Sequence, residues 1–495
     1  MSDIAFVRED MLPEKAPPAS NVGIVGWMRE NLFSGILNSV LTISSLLVIF
    51  YVLVSLLPWV FSGTWSAGSL KECREIFAVN GGGGGHGGGA CWGVIRERWI
   101  QLMFGFYPSE LYWRPVVTFG LLFVAVIPVL FSMISRRMNW FLLALLVFLT
   151  TFAFGGVFAW MLRIISGLGL AYLAYTLVST DKADRATQIA GGAKRLPNPL
   201  IFTALFPFVF PWLLWGGSAW VPIGAILGFV IGYFAYSILA RTVSGLIGLI
   251  VGPLAAIVWW LLLSGTFAGV AESIIPLSIE VVESRKFGGF MLSITIGVVA
   301  IVGSLPLGIV LALGRQSDLM IVKALCVGFI EFIRGVPLIT LLFVASTLLN
   351  VFMPPGTNFD IILRVLIMVT LFAAAYMAEV VRGGLAALPT GQYEGADSLG
   401  LNYWQAQRLV IMPQALKISI PGIVSTFIGV FKDTTLVSII GLLDPLGLST
   451  AIRADANWNG VVWELYGFIA LLFFVFCFSM SRYSMYLERK LQTGH

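Results

Sequence analysis

The chain is cut into long apolar runs, near residues 35–60, 115–134, 139–160, 164–180, 200–217, 221–240, 243–263, 290–314, 322–350, 361–381, 418–443 and 461–481. A run of about 20 apolar residues is the length at which an α-helix crosses the hydrocarbon core of a bilayer, whereas a barrel strand needs only about 10. In lipid the backbone must satisfy its own hydrogen bonds, so such runs become helices. The expected fold is an all-α integral membrane protein with about twelve transmembrane helices. Charge content agrees: only 11% of the 495 residues are charged and the mean hydropathy is +0.93, against about 25% charged residues in soluble domains. The two short runs on either side of Arg163 fit either two helices or one re-entrant feature, and 200–240 is interrupted by Pro211 and Pro222.

An even number of spans puts both termini on one side. With the N-terminus in the cytoplasm, most Lys and Arg fall in or beside cytoplasmic segments. Five of the others, Lys71, Arg74, Arg96, Arg98 and Arg114, share the single long outer loop 62–114. The positive-inside rule thus favours cytoplasmic termini. The formal net charge of +5 follows from the same bias, and nucleic acid is not an expected partner. Residues 1–34 carry Asp3, Glu9, Asp10 and Glu14 with three prolines, unlike the basic start and short apolar core of a cleaved signal peptide. They read as a flexible cytoplasmic leader.

The outer loop contains NGGGGGHGGGACW. A glycine run has great backbone freedom and nothing to pack, so a linker is a better reading than a metal site built on one histidine and two cysteines. Cys73 and Cys91 flank the run, and on the outer side of an inner membrane a disulfide between them is permitted. Cys326 and Cys477 fall inside spans and read as small hydrophobes. Trp59, Trp65, Trp113, Trp140 and Trp220 lie near span ends, as in an interfacial belt.

Catalytic equipment is sparse. There is no phosphate-binding G-x-x-x-x-G-K-[ST] loop and no G-x-S-x-G elbow. The only histidines are His86 and His495, so a histidine-based metal centre or a Ser-His-Asp triad within the spans is excluded. The chain is not expected to be an enzyme, nor to hold a cofactor of its own.

One stretch departs from the apolar pattern. QYEGADSLGLNYWQAQRLVIMPQAL, residues 392–416, is polar for about a helix and a half. At helical spacing Tyr393, Ala396, Leu399 and Gly400 share a face. After a break at 400–402, Trp404, Gln407, Arg408 and Ile411 continue. Two short amphipathic helices joined at a glycine fit this, and a helix resting on lipid headgroups would look the same. The particular residues go further. EGADSLGLNYWQAQRLVIMP resembles the EAA loop of ABC-importer permeases, E-A-A, three residues, G, nine residues, I-x-L-P. Glu394, Gly395 and Ala396 stand for E-A-A, with glycine in the second place; Gly400 is in register; Val410, Met412 and Pro413 stand for I, L and P.

The resemblance extends to GGFMLSITIGVVAIVGSLPLGIVLALGR, FIEFIRGVPLITLLF, AYMAEVVRGGLAALPTGQYEGA and GVFKDTTLVSIIG. These are similar to the histidine/glutamine-type permeases of polar amino-acid importers, and the whole chain resembles the long M-type permeases of general L-amino acid ABC importers. The resemblance implies a cytoplasmic leader (1–34), an N-terminal membrane extension (35–287) with the outer loop 62–114, and a five-span permease core (288–490) with a coupling loop at 392–413. It implies a bacterial inner membrane location and import of polar L-amino acids. The implied partners are an ABC ATPase that carries ATP and Mg and docks on the loop, a second permease forming a heterodimer, and a periplasmic amino-acid-binding protein.

Charges inside spans are costly and suggest function. Lys432 and Asp433, followed by Thr434 and Thr435, are candidates for a polar wall of the translocation path, or for a structural cluster. Glu331 with Arg334, and Glu379 with Arg382, have the spacing of pairs along a helix, and Pro306 and Pro337 mark candidate kinks. An ion-coupled secondary amino-acid transporter is the alternative. It would need an intramembrane ion site and usually inverted repeats, and nothing in 1–289 echoes EGADSLG.

Overall fold

The computed structural model describes residues 23–79, 88–130, 140–145, 163–164, 166–173, 200–352 and 359–492. Among these, eight helices are long and apolar enough to cross a membrane: Ile36–Phe61, Ser109–Leu130, Trp220–Thr242, Ile247–Ile274, Gly289–Arg315, Ile361–Ala386, Tyr403–Ile440 and Trp463–Leu491. A ninth is made by Met320–Gly335 with Leu338–Thr347, bent by 100°. The break falls at Pro337, whose ring and missing N–H disrupt the helical ladder. Pro306, by contrast, sits inside the continuous helix Gly289–Arg315. The run at 200–217 becomes a helix of only 16 residues, Leu200–Trp215. Only parts of the runs at 139–160 and 164–180 are described, and most of the leader and His86 with most of the glycine run lie outside the described residues.

The chain forms two compact units, 1–97 with 455–465, and 98–454 with 466–495. Residues 98–287 therefore belong to the same unit as most of 288–490.

In the first unit, α1 (Gly23–Asn31) and α2 (Ile36–Phe61) are followed by α3 (Leu70–Val79) and the start of α4 (Gly93–Phe104). None of the residues of α2 is buried. A helix that is apolar all round and unburied in its own chain is suited to lipid. Beyond it, residues 62–79 and 88–97 are tied together. Cys73 and Cys91 are joined in a disulfide, Cα atoms 6.0 Å apart. Trp92 stacks on Trp65 at 5.7 Å and donates its indole N–H to the Val60 carbonyl at 2.9 Å. Trp65, expected in an interfacial belt, is thus also a packing residue.

The second unit continues with α5 (Trp113–Leu130), α6 (Leu200–Trp215), α7 (Trp220–Thr242), α8 (Gly245–Val258) and α9 (Ser264–Ile274). The strands Gly217–Ser218 and Ser278–Ile279 pair antiparallel and tie the ends of α6 and α9. Gly224, Gly228 and Gly232 are the buried residues of α7, the small-residue spacing that lets membrane helices approach closely. One π turn, Trp259–Leu263, separates α8 from α9. Adjacent helical residues normally diverge by about 100°. At this π turn, Trp259 and Trp260 instead both face α7, donating to the Gly224 and Ala225 carbonyls at 2.8 and 3.0 Å.

The remaining helices are α10 (Gly289–Arg315), α11 (Met320–Gly335), α12 (Leu338–Phe352), α13 (Ile361–Ala386), α14 (Thr390–Ser398), α15 (Tyr403–Ala406), α16 (Met412–Asp433), α17 (Pro445–Arg453) and α18 (Trp463–Gln492). α10 and α13 are the centre. Met291, Leu292, Ile296, Ala300, Val365, Val369 and Ala373 form one buried cluster, joined by Tyr107, Leu214 and Phe287 from the chain before α10. Phe290, Phe431, Ile469 and Phe473 form another, which seats α18.

Candidate functional site

The loop between α13 and α16 folds as two short helices about a glycine turn. Leu399 N–H bonds the Gly395 carbonyl at 3.3 Å, Gly400 N–H the Asp397 carbonyl at 2.9 Å, and Leu401 N–H the Ala396 carbonyl at 3.2 Å. This pattern ends α14 with a left-handed residue, and Gly400 has φ +68°. A side chain there would carry a backbone penalty of about 1–2 kcal/mol. α15 then starts at once. Asn402 Oδ1 accepts from Gln405 N–H at 2.9 Å and Gln405 Oε1 accepts from Asn402 N–H at 3.0 Å, a reciprocal cap of the kind that defines a helix start.

Two features seat the loop. Ile411 and Ala415 join Ala312, Ile330, Met377, Ala378, Val381 and Leu385 in a buried cluster, with Tyr393, Val410 and Met412 packed against it. Gln414 Nε2 donates to Gln392 Oε1 and to the Val410 carbonyl, at 2.8 and 2.9 Å, fastening α14 to the foot of α16. Of the residues singled out by sequence, Ala396 is buried (2% exposed), Val410 and Met412 are half-buried, and Glu394, Gly395, Gly400 and Pro413 are exposed. Leu399 does not share the buried face of Ala396; it is 77% exposed, and with Tyr403, Trp404 and Leu409 gives the loop an open apolar surface. Burial pushes the Tyr393 hydroxyl above its ordinary pKa. Residues 407–411 form a second π turn. Within it the Gln407 side chain is buried, and Oε1 has no hydrogen-bond partner among the described residues.

α16 lies close along α13 just beyond the loop. A Cβ at Gly384 would meet Ser419 Oγ at 2.0 Å and the Ala415 carbonyl oxygen at 2.5 Å. Ser419 Oγ donates to the Val380 carbonyl at 3.2 Å. Beside this contact, Glu379 gathers three arginines. Arg315 of α10 bonds its Oε1, Arg334 of α11 lies 3.6 Å from Oε1, and Arg382 lies 2.9 Å from Oε2. Glu331 pairs with Arg315 at 3.2 Å, and the Arg334 guanidinium also stands 5.6 Å from the Tyr376 ring centre. Glu379 with Arg382 therefore pairs along its helix as the spacing suggests. Glu331 and Arg334 do not pair with each other; their partners come from other helices. The group is partly exposed, so each pair is worth only about 1 kcal/mol or less. Its effect is to tie three helix ends to one carboxylate.

At the far end of α16 the helix tightens to a 3-10 turn over Thr434–Ile440. Thr434 is buried and donates to the Phe431 carbonyl at 2.8 Å; Thr435 donates to the Lys432 carbonyl at 2.9 Å. Both hydroxyls are thus spent on their own helix. Lys432 is exposed and Asp433 half-buried, and neither has an ion-pair partner among the described residues. Among the described residues no group of three His, Cys, Asp or Glu could hold a metal ion.

The Glu379 hub, the Gly384 approach and the buried Gln407 were not evident from sequence. The available signal was weak: an EVVRGG run whose charge and glycines fall at the end of an apolar helix.

Residues 304–493 match the family described as "Binding-protein-dependent transport system inner membrane component". The chain is 51% identical to the Rhodobacter capsulatus "Glutamate/glutamine/aspartate/asparagine transport system permease protein BztC", over 100% of both chains. It is 36% identical to the Escherichia coli "Inner membrane amino-acid ABC transporter permease protein YhdY", over 94% of this chain and 93% of the relative. A "Probable glutamine ABC transporter permease protein GlnM" of Bacillus subtilis is 30% identical over 95% of its own length but only 43% of this chain. The chain therefore belongs to the inner-membrane permeases of binding-protein-dependent ABC transporters, in the amino-acid branch that holds BztC and YhdY, and is the permease component rather than the ATPase.

Proposed function

We propose that this permease imports glutamate, glutamine, aspartate and asparagine from the periplasm, driven by ATP hydrolysed on a separate subunit. The observation that carries the reading is the loop 392–413, two capped helices seated on α10 and α13 with Leu399, Tyr403, Trp404 and Leu409 left open, in a chain similar to BztC from end to end. Glu394, Gly395, Ala396, Gly400, Val410, Met412 and Pro413 form the coupling loop. Gly400 sets the angle between its helices, and the ATPase covers its exposed apolar residues. When the ATPase subunits that hold ATP and Mg close, the loop would move with them, and the α16–α13 contact would carry that movement into the membrane.

A second, different permease subunit completes the path, and a periplasmic amino-acid-binding protein delivers the substrate. Lys432 and Asp433, with Thr434 and Thr435 setting the 3-10 turn beside them, face that path. Unpaired charges of both signs suit a zwitterion with an acidic or amide side chain. Both termini are cytoplasmic. The eight long helices, the bent pair and Leu200–Trp215, with the runs at 139–160 and 164–180, make the full count about twelve, five of them in the core 288–490.

The test is uptake of the four labelled amino acids into proteoliposomes that hold this chain, its partner permease and the ATPase, with binding protein added outside. Uptake that requires ATP and ATPase, and that Gly400→Arg abolishes, supports the reading. Uptake driven by an ion gradient with no ATPase present overturns it.

A further inference from the structure

Residues 62–79 and 88–97 precede the family match at 304–493, yet they bond a piece of that match. In the first unit, the Leu70 N–H donates to the Asn457 carbonyl at 2.8 Å. The Cys91 N–H donates to Glu464 Oε1 at 3.0 Å. Glu464 is only 9% exposed and Trp458 only 1%. A buried carboxylate that accepts a backbone N–H is an anchor, since leaving either group unpaired is costly. The Thr64 N–H reaches the Ala90 carbonyl at 2.9 Å and the Ala90 N–H the Trp59 carbonyl at 2.8 Å, so the strand carrying Cys91 is fixed to the end of α2. The disulfide closes the same strand onto α3. Residues 454–462 link α17 to α18, residues 463–465 are the first turn of α18, and α17 follows the 3-10 turn that ends α16. Along the chain, the link therefore follows α16, its 3-10 turn and α17. Relatives such as GlnM align over 95% of their length within 43% of this chain, so the permease module exists without this attachment.

We propose that residues 62–79 and 88–97 form a disulfide-tied clasp on the α17–α18 link, with Glu464 as its positioning residue, and that the clasp fixes the outer end against which α16 moves during transport. Its assay rests on the importer reading. Because the clasp is closed by one disulfide, transport is sensitive to dithiol reductants. Reduction breaks the Cys73–Cys91 S–S bond and gives two thiols, taking two electrons and two protons from the reductant, which becomes a disulfide.

The test uses the full transporter in proteoliposomes with its ATPase and binding protein. Glu464→Ala and the double variant Cys73→Ser/Cys91→Ser lower uptake threefold or more at equal membrane content, with ATP hydrolysis kept within twofold. Glu464→Gln, which retains an acceptor, keeps at least half of wild-type uptake. Dithiothreitol brings the wild type to the level of the double variant and leaves the double variant unchanged. Hydrogen exchange at the Leu70 and Cys91 amides quickens in Glu464→Ala and on reduction. If a variant fails to assemble, the reductant arm on folded wild type decides. The proposal is overturned if the variants transport as wild type, or if dithiothreitol lowers the double variant equally. A wild type with no ATP-driven uptake refutes the importer reading instead, and amide exchange on reduction still reports on the clasp.

Discussion

Gly384→Ala tests the α13–α16 contact with one methyl group. The added carbon would lie 2.0 Å from Ser419 Oγ and 2.5 Å from the Ala415 carbonyl oxygen. The serine can rotate away, at the loss of its bond to the Val380 carbonyl, about 1 kcal/mol. The carbonyl is backbone and cannot, so α16 must shift. Overpacking of this kind costs about 1–3 kcal/mol. Alanine returns up to about 1 kcal/mol through its better helix propensity. The net is about 1–3 kcal/mol, roughly one to two orders of magnitude in the unfolding equilibrium. The adjacent Gly383 is an internal control, because a Cβ there meets nothing within 4 Å; Gly383→Ala gains the propensity term alone. Unfolding of the purified chain in mixed micelles by rising dodecyl sulfate gives both values. Gly384→Ala should unfold earlier than wild type and Gly383→Ala no earlier. Equal stability of the two variants would refute the close-approach argument.

Burial pushes the Asp444 carboxyl up to about 6, although Leu446 and Gly447 N–H groups bond its ionised form. Because the folded value lies above the unfolded one, the fold is favoured below about pH 4 and that contribution fades as pH rises through 6, a difference of about 3 kcal/mol at most. Asp444→Asn keeps the helix cap and should abolish the excess stability of wild type at pH 5 over pH 8 in the same unfolding assay. Glu379→Gln leaves three guanidinium groups without their shared anion and should cost about 1 kcal/mol, whereas Glu331→Gln, at a more exposed pair, should cost nearly nothing; unfolding midpoints compare them. Gly395→Ala restores E-A-A at a position where a Cβ meets nothing, and should leave uptake unchanged while stabilising α14 by up to about 1 kcal/mol, read as slower amide exchange at 395–399.

Sequence revealed what periodicity and spacing encode. Apolar runs located the eight long helices and the bent pair, and the E-G-A, Gly400 and Pro413 register located a loop whose two helices and glycine break are present in the fold. What it missed depends on which helices meet. The charges of Glu331 and Arg334 suggested a pair along one helix, but α11 crosses the ends of α10 and α13, so neighbours from other helices win. Leu399 has the spacing of the Ala396 face, yet Gly400 ends the helix one residue later and turns Leu399 outward. Close contact at Gly384 depends on Ala415 and Ser419, about thirty residues away, and no local pattern announces it. The Glu464–Cys91 bond spans 373 residues, beyond the reach of any window along the chain.

An ATPase subunit, on the proposed reading, covers the loop 392–413. Ala396 is buried beneath the loop, so the probe belongs at Leu399, which is exposed. Leu399→Cys, in a chain with Cys326→Ser and Cys477→Ser and the Cys73–Cys91 bond intact, is labelled with a thiol-reactive photocrosslinker in membranes containing the co-expressed ATPase. A crosslink from position 399 to the ATPase, lost together with uptake when Gly400→Arg is added, is the expected result. No crosslink, with amino-acid uptake persisting in membranes that lack the ATPase, would contradict it.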